Sequence, residues 1–182
     1  MAHLDITLKE TERANHAYDI LKDDIQIDQY DAIITISGDG LIFECVNGMM
    51  NRPDWQEFIE KITFGFIPAG TGNGLVKSIS SLSSNECSIE TAAYSISKGR
   101  KLKIDLTELD LEYQPDKKLY MFLILAWAYI SDCDINSETL RWAGSARFDM
   151  WGAYRLMAIK EYAGSFSMKG EKVTQNKSSL LK

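Results

Sequence analysis

The sequence predicts an α/β domain built on a parallel sheet, followed by part of an antiparallel, β-rich second domain. In the first half, two short apolar strands each run into a glycine-rich turn that leads into a helix. This order, repeated twice, is typical of a parallel sheet whose ligand-binding loops lie at its carboxyl edge. Near residue 100 the apolar residues change from helical spacing to alternation, which predicts antiparallel strands. We therefore predict domains over residues 1–100 and 101–182.

Length and composition fit a globular protein of one or two domains. The chain has 182 residues, of which 45% are hydrophobic and 25% charged, and 20 basic against 26 acidic residues give a net charge of −6. These values exclude a disordered or collagen-like chain. They also argue against nucleic acid as a partner, because a general nucleic-acid-binding surface is basic.

No targeting or membrane-spanning segment is expected. The N-terminal residues have no apolar core, so we predict no signal peptide. The longest apolar run, 119–130, is shorter than the roughly 20 residues of a membrane-spanning helix. Cys45, Cys87 and Cys133 form no CxxC pair, which favours free thiols in a reducing compartment. The free thiols and the lack of a signal peptide predict a cytoplasmic protein. The histidines lack metal-ligand spacing, so we predict no metal site of its own.

The first strand is predicted between two helices. Apolar residues at helical spacing predict a helix over 14–21, with Thr11 as a possible N-cap. The β-branched run at 32–36 predicts a buried parallel strand. The spacing of the apolar residues from Phe43 onward predicts a second helix, which ends before Pro53.

The second strand is predicted over 64–67, where an apolar run meets a proline and a cluster of glycines. The polar, serine-rich stretch 78–88 predicts a surface loop. Helical spacing returns over 89–96, and Gly99 fits the C′ position that closes such a helix.

The second half is predicted to be β-rich with one late helix. The predicted elements are strands over 102–106 and 109–113, a turn over 114–118, a buried strand over 119–130, a helix over 146–162 and a frayed polar tail over 169–182. Four aromatic side chains are expected in the core or, alternatively, around an apolar slot for a lipid tail: Trp127, Trp142, Phe148 and Trp151.

An aspartate between two glycines follows the first strand, in the sequence Ser37-Gly38-Asp39-Gly40. Glycines allow a ligand to approach the backbone closely. A helix that starts just after the turn would also direct N–H groups and its positive dipole end at the same point. The alternative is a tight turn with an exposed aspartate.

A second glycine-rich turn, residues 68–74 with the sequence PAGTGNG, follows the second strand. Phosphates bind at this position in open α/β sheets. The turn is neither a Walker A loop nor GxGxxG, because the required Lys-Ser/Thr is absent and the third glycine comes one residue early. A flexible loop is the alternative, but two such turns on neighbouring strands would line one crevice.

An acidic pair and two arginines follow the apolar run of the second half. Asp132 and Asp134 are candidates for binding, with the alternative that they cap a helix beginning near Ser137. Arg141 and Arg147 are candidates for phosphate clamping, with the alternative that they lie on a solvated helix face.

Together these motifs resemble the sphingosine kinases, lipid kinases of the diacylglycerol-kinase catalytic-domain superfamily. The resemblance rests on TERANHA, SGDGLIFECVNGMMNRPDW, IPAGTGNGL and LAWAYISDCDINSETLRWAGSARF, and it covers about residues 5–168. Ceramide kinases share the TE-AN element and a GDG turn, whereas the last block is similar to sphingosine kinases in particular.

The resemblance implies an enzyme that transfers phosphate from ATP to the primary hydroxyl of a sphingoid base. Asp39 would be the catalytic base, and Ser37, Gly38 and Gly40 would shape the floor beneath the hydroxyl. Asp134 would recognise the cationic lipid head. Because phosphoryl transfer depends on positioning and charge neutralisation, these residue types suit the reaction.

The resemblance also implies a nucleotide site. ATP would carry Mg²⁺ and would contact residues from four segments: Thr11, Glu12, Arg13, Ala14 and Asn15 of the first, Glu44 of the second, Gly70, Thr71 and Gly72 of the third, and Arg141 and Arg147 of the second domain. The lipid substrate implies peripheral, transient contact with a membrane.

Three departures from the family pattern leave alternatives open. The family opens with a strand and an NPxxG-type nucleotide loop that would precede this chain, and its β domain continues beyond Gly170, so we expect a chain truncated at both ends. The family often has serine where this sequence has Ile124. A ceramide- or diacylglycerol-type kinase and a catalytically inactive fragment are therefore the alternatives.

Overall fold

The computed structural model describes residues 4–115, 117–158 and 160–165. In chain order its elements are α1 (His16–Asp19), a π turn (Ile20–Asp24), a 3-10 turn (Ile27–Gln29), β1 (Ala32–Ser37), α2 (Asp39–Met50), α3 (Trp55–Lys61), β2 (Thr63–Pro68), α4 (Gly74–Leu82), α5 (Ile89–Ser97), β3 (Thr107–Asp110), β4 (Lys118–Met121), α6 (Tyr129–Asn136), a 3-10 segment (Ser137–Ala143) and α7 (Ala146–Met157). A parallel strand pair precedes an antiparallel pair, which confirms the predicted fold class. The domain boundary near residue 100 stays a prediction.

The parallel sheet pairs β1 with β2, from Ala32 opposite Thr63 to Ser37 opposite Pro68. Beyond the strands, the Ala69 N–H donates to the Ser37 carbonyl at 3.0 Å. The carboxyl ends of parallel strands lie at one edge of a sheet, so the two glycine turns that follow β1 and β2 are brought together.

Two apolar clusters hold this half of the molecule together. The larger one lies around the fully buried Phe58 and joins α1, α2 and α3 to the sheet. Gly48 allows α1 and α2 to pack closely, because a Cβ there would collide with the Tyr18 carbonyl oxygen. The smaller cluster lies around Ile42 and Leu75 and joins α2 to α4 and to the β3–β4 hairpin.

A buried amide couples the hairpin to α2. The Asn47 side chain donates to the Tyr120 carbonyl at 2.9 Å and accepts the Tyr120 N–H at 2.8 Å. Asn47 thereby satisfies both backbone groups of a β4 residue, as a neighbouring strand would. The hairpin itself runs from Thr107 paired with Met121 to Asp110 paired with Lys118. The strand predicted over 102–106 is therefore wrong, and of the strand predicted over 109–113 only residues 109–110 are confirmed.

The first helix differs from its prediction over 14–21. α1 is a single turn that continues as a π turn, and its N-cap is Asn15, in the left-handed region with φ 60°, rather than Thr11. His16 explains the difference, because its Nδ1 accepts the Glu12 N–H at 3.0 Å and so closes the preceding turn.

The predicted loop over 78–88 is wrong in its first part, which is helical as far as Leu82. Apolar side chains of α4 are buried against the sheet, and its serines are compatible with a helix because their hydroxyls bond to preceding carbonyls. The Ser78 hydroxyl, for example, donates to the Gly74 carbonyl at 2.8 Å.

The other elements of the first half are present. α2 begins at Asp39, earlier than predicted, and ends at Met50, before Pro53. β2 includes the predicted strand 64–67. α5 is followed by Gly99, whose φ of 65° fits the predicted helix-ending position.

The prediction of a buried strand over 32–36 is wrong for one face of β1. Thr35 is buried, but Ile36 is 63% exposed. The sheet has two strands among the described residues, and α5 packs on this face mainly at Gly65, which leaves the end of β1 open.

The strand predicted over 119–130 is also wrong beyond Met121, where its antiparallel partner ends. Ala128 has a φ of 61° and turns the chain into α6. The helix predicted over 146–162 ends at Met157, and the predicted frayed tail, 169–182, lies outside the described residues.

The last helices pack chiefly on one another, which explains the exposure of two aromatic side chains expected in the core. Trp127 is 62% and Trp142 79% exposed, whereas Phe148 and Trp151 are half-buried. Within the described ranges, no helix has the length and apolar character needed to cross a membrane.

Candidate active site

The carboxylate of Asp39 is held by the first turn of α4. Its Oδ2 accepts the Gly74 N–H at 2.6 Å, and its Oδ1 accepts the Leu75 N–H at 3.1 Å. N–H groups in the first turn of a helix have no partner within the helix, and the dipole there favours an anion. A carboxylate oxygen has two lone pairs, so each Asp39 oxygen can still accept a hydrogen bond from a substrate hydroxyl.

The backbones of the two glycine turns are in direct contact beneath Asp39. The Asp39 N–H donates to the Gly72 carbonyl at 3.3 Å. A Cβ at Gly38 would lie 2.8 Å from the Gly72 oxygen, and a Cβ at Gly70 would lie 2.7 Å from the Gly38 nitrogen. Neither glycine can therefore carry a side chain without moving the opposite turn. Gly40 has no atom within 4 Å of its Cβ position and faces open space.

Asn73 fixes the shape of the second turn. Its Oδ1 accepts the Gly70 N–H at 3.2 Å, and its Nδ2 donates to the Gly70 carbonyl at 2.6 Å. Thr71 is exposed at the tip of the turn, whereas the Ser37 hydroxyl donates to its neighbour's carbonyl in the first turn. The structure thus brings both predicted motifs into contact at Asp39, and the roles of their residues stay predictions.

The predicted nucleotide segment at 11–15 is exposed and lies before α1. Arg13 is paired with Asp19 at 2.5 Å. The predicted neighbour of the nucleotide, Glu44, reaches this region from α2, where its Oε2 accepts the Ala17 N–H at 3.2 Å. Glu44 therefore connects the helix that begins with Asp39 to α1, which directly follows the segment 11–15.

Glu138 pairs with both arginines that are predicted to clamp phosphate. Arg141 contacts Glu138 at 2.7 Å and its side chain is 77% exposed, whereas the Arg147 side chain is 8% exposed and pairs with the other carboxylate oxygen. One acidic side chain is therefore shared by two cations of the second half, and the three groups together keep a net charge of about +1. Either arginine would have to leave Glu138, or share it, to bind a phosphate.

Asp134 is exposed and lines an open surface groove of about 400 Å³ beside α6 and α7. Its apolar lining is formed by Ile124, Ala126, Ile130, Phe148 and parts of Tyr129 and Gly152. The Tyr129 hydroxyl donates to the Gly152 carbonyl at 3.0 Å and so ties the two helices together. Burial, with the neighbouring Cys133 thiol as a smaller cause, raises the pKa of Tyr129.

Asp132 points into a different network. It accepts a hydrogen bond from the Tyr162 hydroxyl and pairs with Arg155 at 3.1 Å. The bond to Asp132, together with burial, raises the pKa of Tyr162. The alternative that Asp132 and Asp134 cap a helix near Ser137 is wrong, because both lie inside α6.

Sequence reasoning missed three contributors to this site: the first N–H groups of α4, the Asn73 amide and the Glu138 carboxylate. Asn73 carried a readable signal, since asparagine in a glycine-rich loop commonly bonds to nearby backbone. Glu138 lies three residues before Arg141, a spacing that pairs side chains on a helix. The hydrogen bond from the Gly74 N–H to Asp39 had no local sequence signal, because it depends on the pairing of β1 with β2.

The chain matches a known catalytic family over more than half of its length. The family described as "Diacylglycerol kinase catalytic domain" matches residues 1–109. The fold and the site thus define a catalytic domain of the lipid-kinase type. The chain belongs to the diacylglycerol kinase catalytic domain family.

The similar proteins include several sphingosine kinases. Sphingosine kinase 1 of Arabidopsis thaliana is 38% identical over 163 residues, which cover 90% of this chain and 33% of that protein. Sphingosine kinase 1 of Homo sapiens is 35% identical over 168 residues, covering 90% and 43%. Sphingosine kinase 2 of Homo sapiens is 33% identical over 171 residues, covering 91% and 26%. The chain therefore spans less than half the length of these relatives.

Proposed function

We propose that the protein is an ATP-dependent lipid kinase that phosphorylates the primary hydroxyl of a sphingoid base. The observation that carries the proposal is the position of Asp39, whose carboxylate lies where both glycine turns meet the N-terminus of α4. A carboxylate at such a point can face a hydroxyl and a phosphate at once. The family match and the similarity to sphingosine kinases support the same reaction.

In the proposed reaction Asp39 acts as general base. The lipid hydroxyl gives its proton to a free lone pair of the Asp39 carboxylate while its oxygen forms a bond to the γ-phosphorus of ATP. The bond between the γ-phosphorus and the bridging oxygen breaks, and ADP leaves with that electron pair. The Gly74 and Leu75 N–H groups hold the carboxylate in place, so little reorganisation is needed.

The nucleotide would bind across the glycine turn of β2. Gly70, Thr71 and Gly72 are predicted to bind its phosphates, with the exposed segment 11–15 and Glu44 beside it. Among the described residues, no group of three or more acidic, His or Cys side chains is arranged to hold a metal. Mg²⁺ would be carried with the nucleotide phosphates, as is usual at kinase sites, and would supply charge neutralisation.

The lipid would bind from the second half of the chain. The open groove beside α6 and α7 offers apolar surface for an alkyl chain, and the Asp134 carboxylate on its wall suits a cationic amine. We propose that the protein acts in the cytoplasm. Because its lipid substrate resides in bilayers, we also propose peripheral contact with a membrane.

A panel of lipid acceptors tests the proposal. The protein is incubated with γ-labelled ATP, Mg²⁺ and, separately, a free sphingoid base, its N-acyl derivative and a diacylglycerol in neutral-detergent micelles. Label in the phosphorylated sphingoid base is the expected result. Label in either other lipid would instead establish a ceramide- or diacylglycerol-type kinase, and label in none would establish an inactive fragment.

A further inference from the structure

Arg52 joins the end of α2 to the helical segment that follows the predicted nucleotide residues. Its side chain is only 9% exposed. Its Nη1 lies within hydrogen-bond distance of three carbonyls of the π turn and its end, those of Leu21 at 2.7 Å, Lys22 at 3.1 Å and Ile25 at 3.1 Å. The last carbonyls of a helical segment have no partner within it, so the guanidinium supplies donors that the backbone lacks.

Two further contacts fix the orientation of the Arg52 guanidinium. Its Nε and Nη2 donate to the two carboxylate oxygens of Asp54, at 2.7 and 2.9 Å. Its central carbon lies 4.8 Å from the ring centroid of Phe58, which is fully buried in the larger apolar cluster. Lysine cannot form such a planar, two-point pair. The position of Nη1 is therefore set by groups outside the π turn.

α1 and the π turn are held against α2 at three points. Glu44, Gly48 and Arg52 lie four residues apart, along α2 and just past its end, so they share one face. Glu44 accepts the Ala17 N–H near the start of α1, Gly48 allows the close approach in the middle, and Arg52 binds the carbonyls at the end. The segment 11–15 directly precedes α1, so its position depends on that of α1.

We propose that Arg52 is a positioning residue for the nucleotide, which acts through α1 on the segment 11–15. The inference rests on the proposed function, in which that segment contacts ATP. Without the guanidinium, the end of the π turn loses its contacts with α2, and α1 is held only at Glu44 and Gly48. The helix can then pivot about these two points. A displacement of about 1 Å is enough to weaken interactions that depend on exact placement.

Calorimetric titration with MgATP measures the effect without lipid or phosphate transfer. Arg52→Met keeps the length of the side chain but removes its charge and donors, whereas Arg52→Lys keeps the charge without the planar fork. We expect Arg52→Met to weaken MgATP binding roughly two- to thirtyfold, the range for residues that act through a packed element, and Arg52→Lys to weaken it less. In steady-state assays the Michaelis constant for the lipid should stay unchanged in both variants.

Asn47→Ala is the matched control, because it also removes a buried contact of α2 but releases β4 rather than α1. Its affinity for MgATP should equal that of the original protein. Hydrogen exchange followed by mass spectrometry gives a second readout. Peptides covering 16–25 should exchange faster in the Arg52 variants, and peptides covering 118–121 should exchange faster in Asn47→Ala.

Circular dichroism verifies that each variant is folded, and Arg52→Lys carries the test if Arg52→Met does not fold. Unchanged affinity for MgATP in the Arg52 variants, or equal weakening in Asn47→Ala, would overturn the inference alone. Failure of the original protein to bind MgATP would overturn it together with the proposed function. If MgATP binding depends on Arg52 but no lipid is phosphorylated, the proposed function fails while the inference stands.

Discussion

The Gly74 N–H donates to the Asp39 carboxylate at 2.6 Å, across 35 positions of sequence. This bond joins the start of α4 to the start of α2, and the Leu75 N–H adds a second one. The aspartate that follows β1 and the turn that follows β2 are therefore one unit. A change in either turn is expected to reach the other.

Substitution of Gly70 by alanine tests this coupling. The new Cβ would lie 2.7 Å from the Gly38 nitrogen, and a backbone atom cannot yield as a flexible side chain does. We expect Gly70→Ala to destabilise the protein by about 1–3 kcal/mol, the usual cost of overpacking, and to displace Asp39. Urea unfolding measures the first effect and lipid-kinase assay the second.

Gly40→Ala is the matched control, because its Cβ position is open and lies on the exposed side of α2. Alanine favours a helix over glycine by about 1 kcal/mol, so this variant should be as stable as the original protein or more so. Equal stability of Gly70→Ala and Gly40→Ala would contradict the proposed contact between the turns.

Asn47 offers a second test, directed at the attachment of the hairpin. Asn47→Ala removes the side-chain amide that bonds to both the N–H and the carbonyl of Tyr120, and leaves these two backbone groups without a partner. We expect a loss of about 2–3 kcal/mol of unfolding free energy, measured in urea.

The neighbouring Asn51 is the control for this experiment, since its amide reaches the Lys118 carbonyl at 3.4 Å and is less buried. Asn51→Ala should cost less than about 1 kcal/mol. A larger loss in Asn51→Ala than in Asn47→Ala would show that α2 holds the hairpin in another way.

The buried thiol of Cys45 predicts a pH dependence. Burial, reinforced by the negative charge of Glu44, raises the pKa of Cys45 from 9.0 to about 12. Between these values the thiol ionises in the unfolded chain but not in the folded protein, so the free energy of unfolding falls as pH rises. The slope approaches 1.4 kcal/mol per pH unit, and the effect is absent below about pH 9.

Comparison with Cys45→Ala isolates this contribution, because the variant keeps every other titrating group. The stability difference between the two proteins should be constant from pH 7 to 8.5 and should shrink at higher pH. A difference that stays constant up to pH 11 would rule out the raised pKa.

The parts of this structure that could be predicted from sequence are those with strong local signals. The β-branched run before Gly38, the proline that ends β2 and the glycine after α5 each marked an element correctly. Strand order along the chain then implied that the two glycine turns would meet. The meeting of the two turns at Asp39 was thus predictable in outline, although the donors that hold its carboxylate were not.

Predictions failed where local pattern and tertiary context disagree. The apolar run from 119 predicts a long strand, but its partner ends opposite Met121 and the chain turns into α6 at Ala128. The pairing of Arg141 and Arg147 with one glutamate depends on how the last helices pack, which no periodicity encodes.

The central claim is that Asp39 accepts the proton of a lipid hydroxyl, and Asp39→Asn tests it most directly. Asparagine keeps the shape, and its oxygen can still accept an N–H of α4, but it cannot take a proton. The measurement is transfer of labelled γ-phosphate from ATP to a free sphingoid base by the original protein and the variant. We predict transfer by the original protein and a loss of about 10²–10⁴-fold in Asp39→Asn, with an unchanged circular dichroism spectrum. Equal rates of transfer by the two proteins, or no transfer by the original protein, would contradict the account.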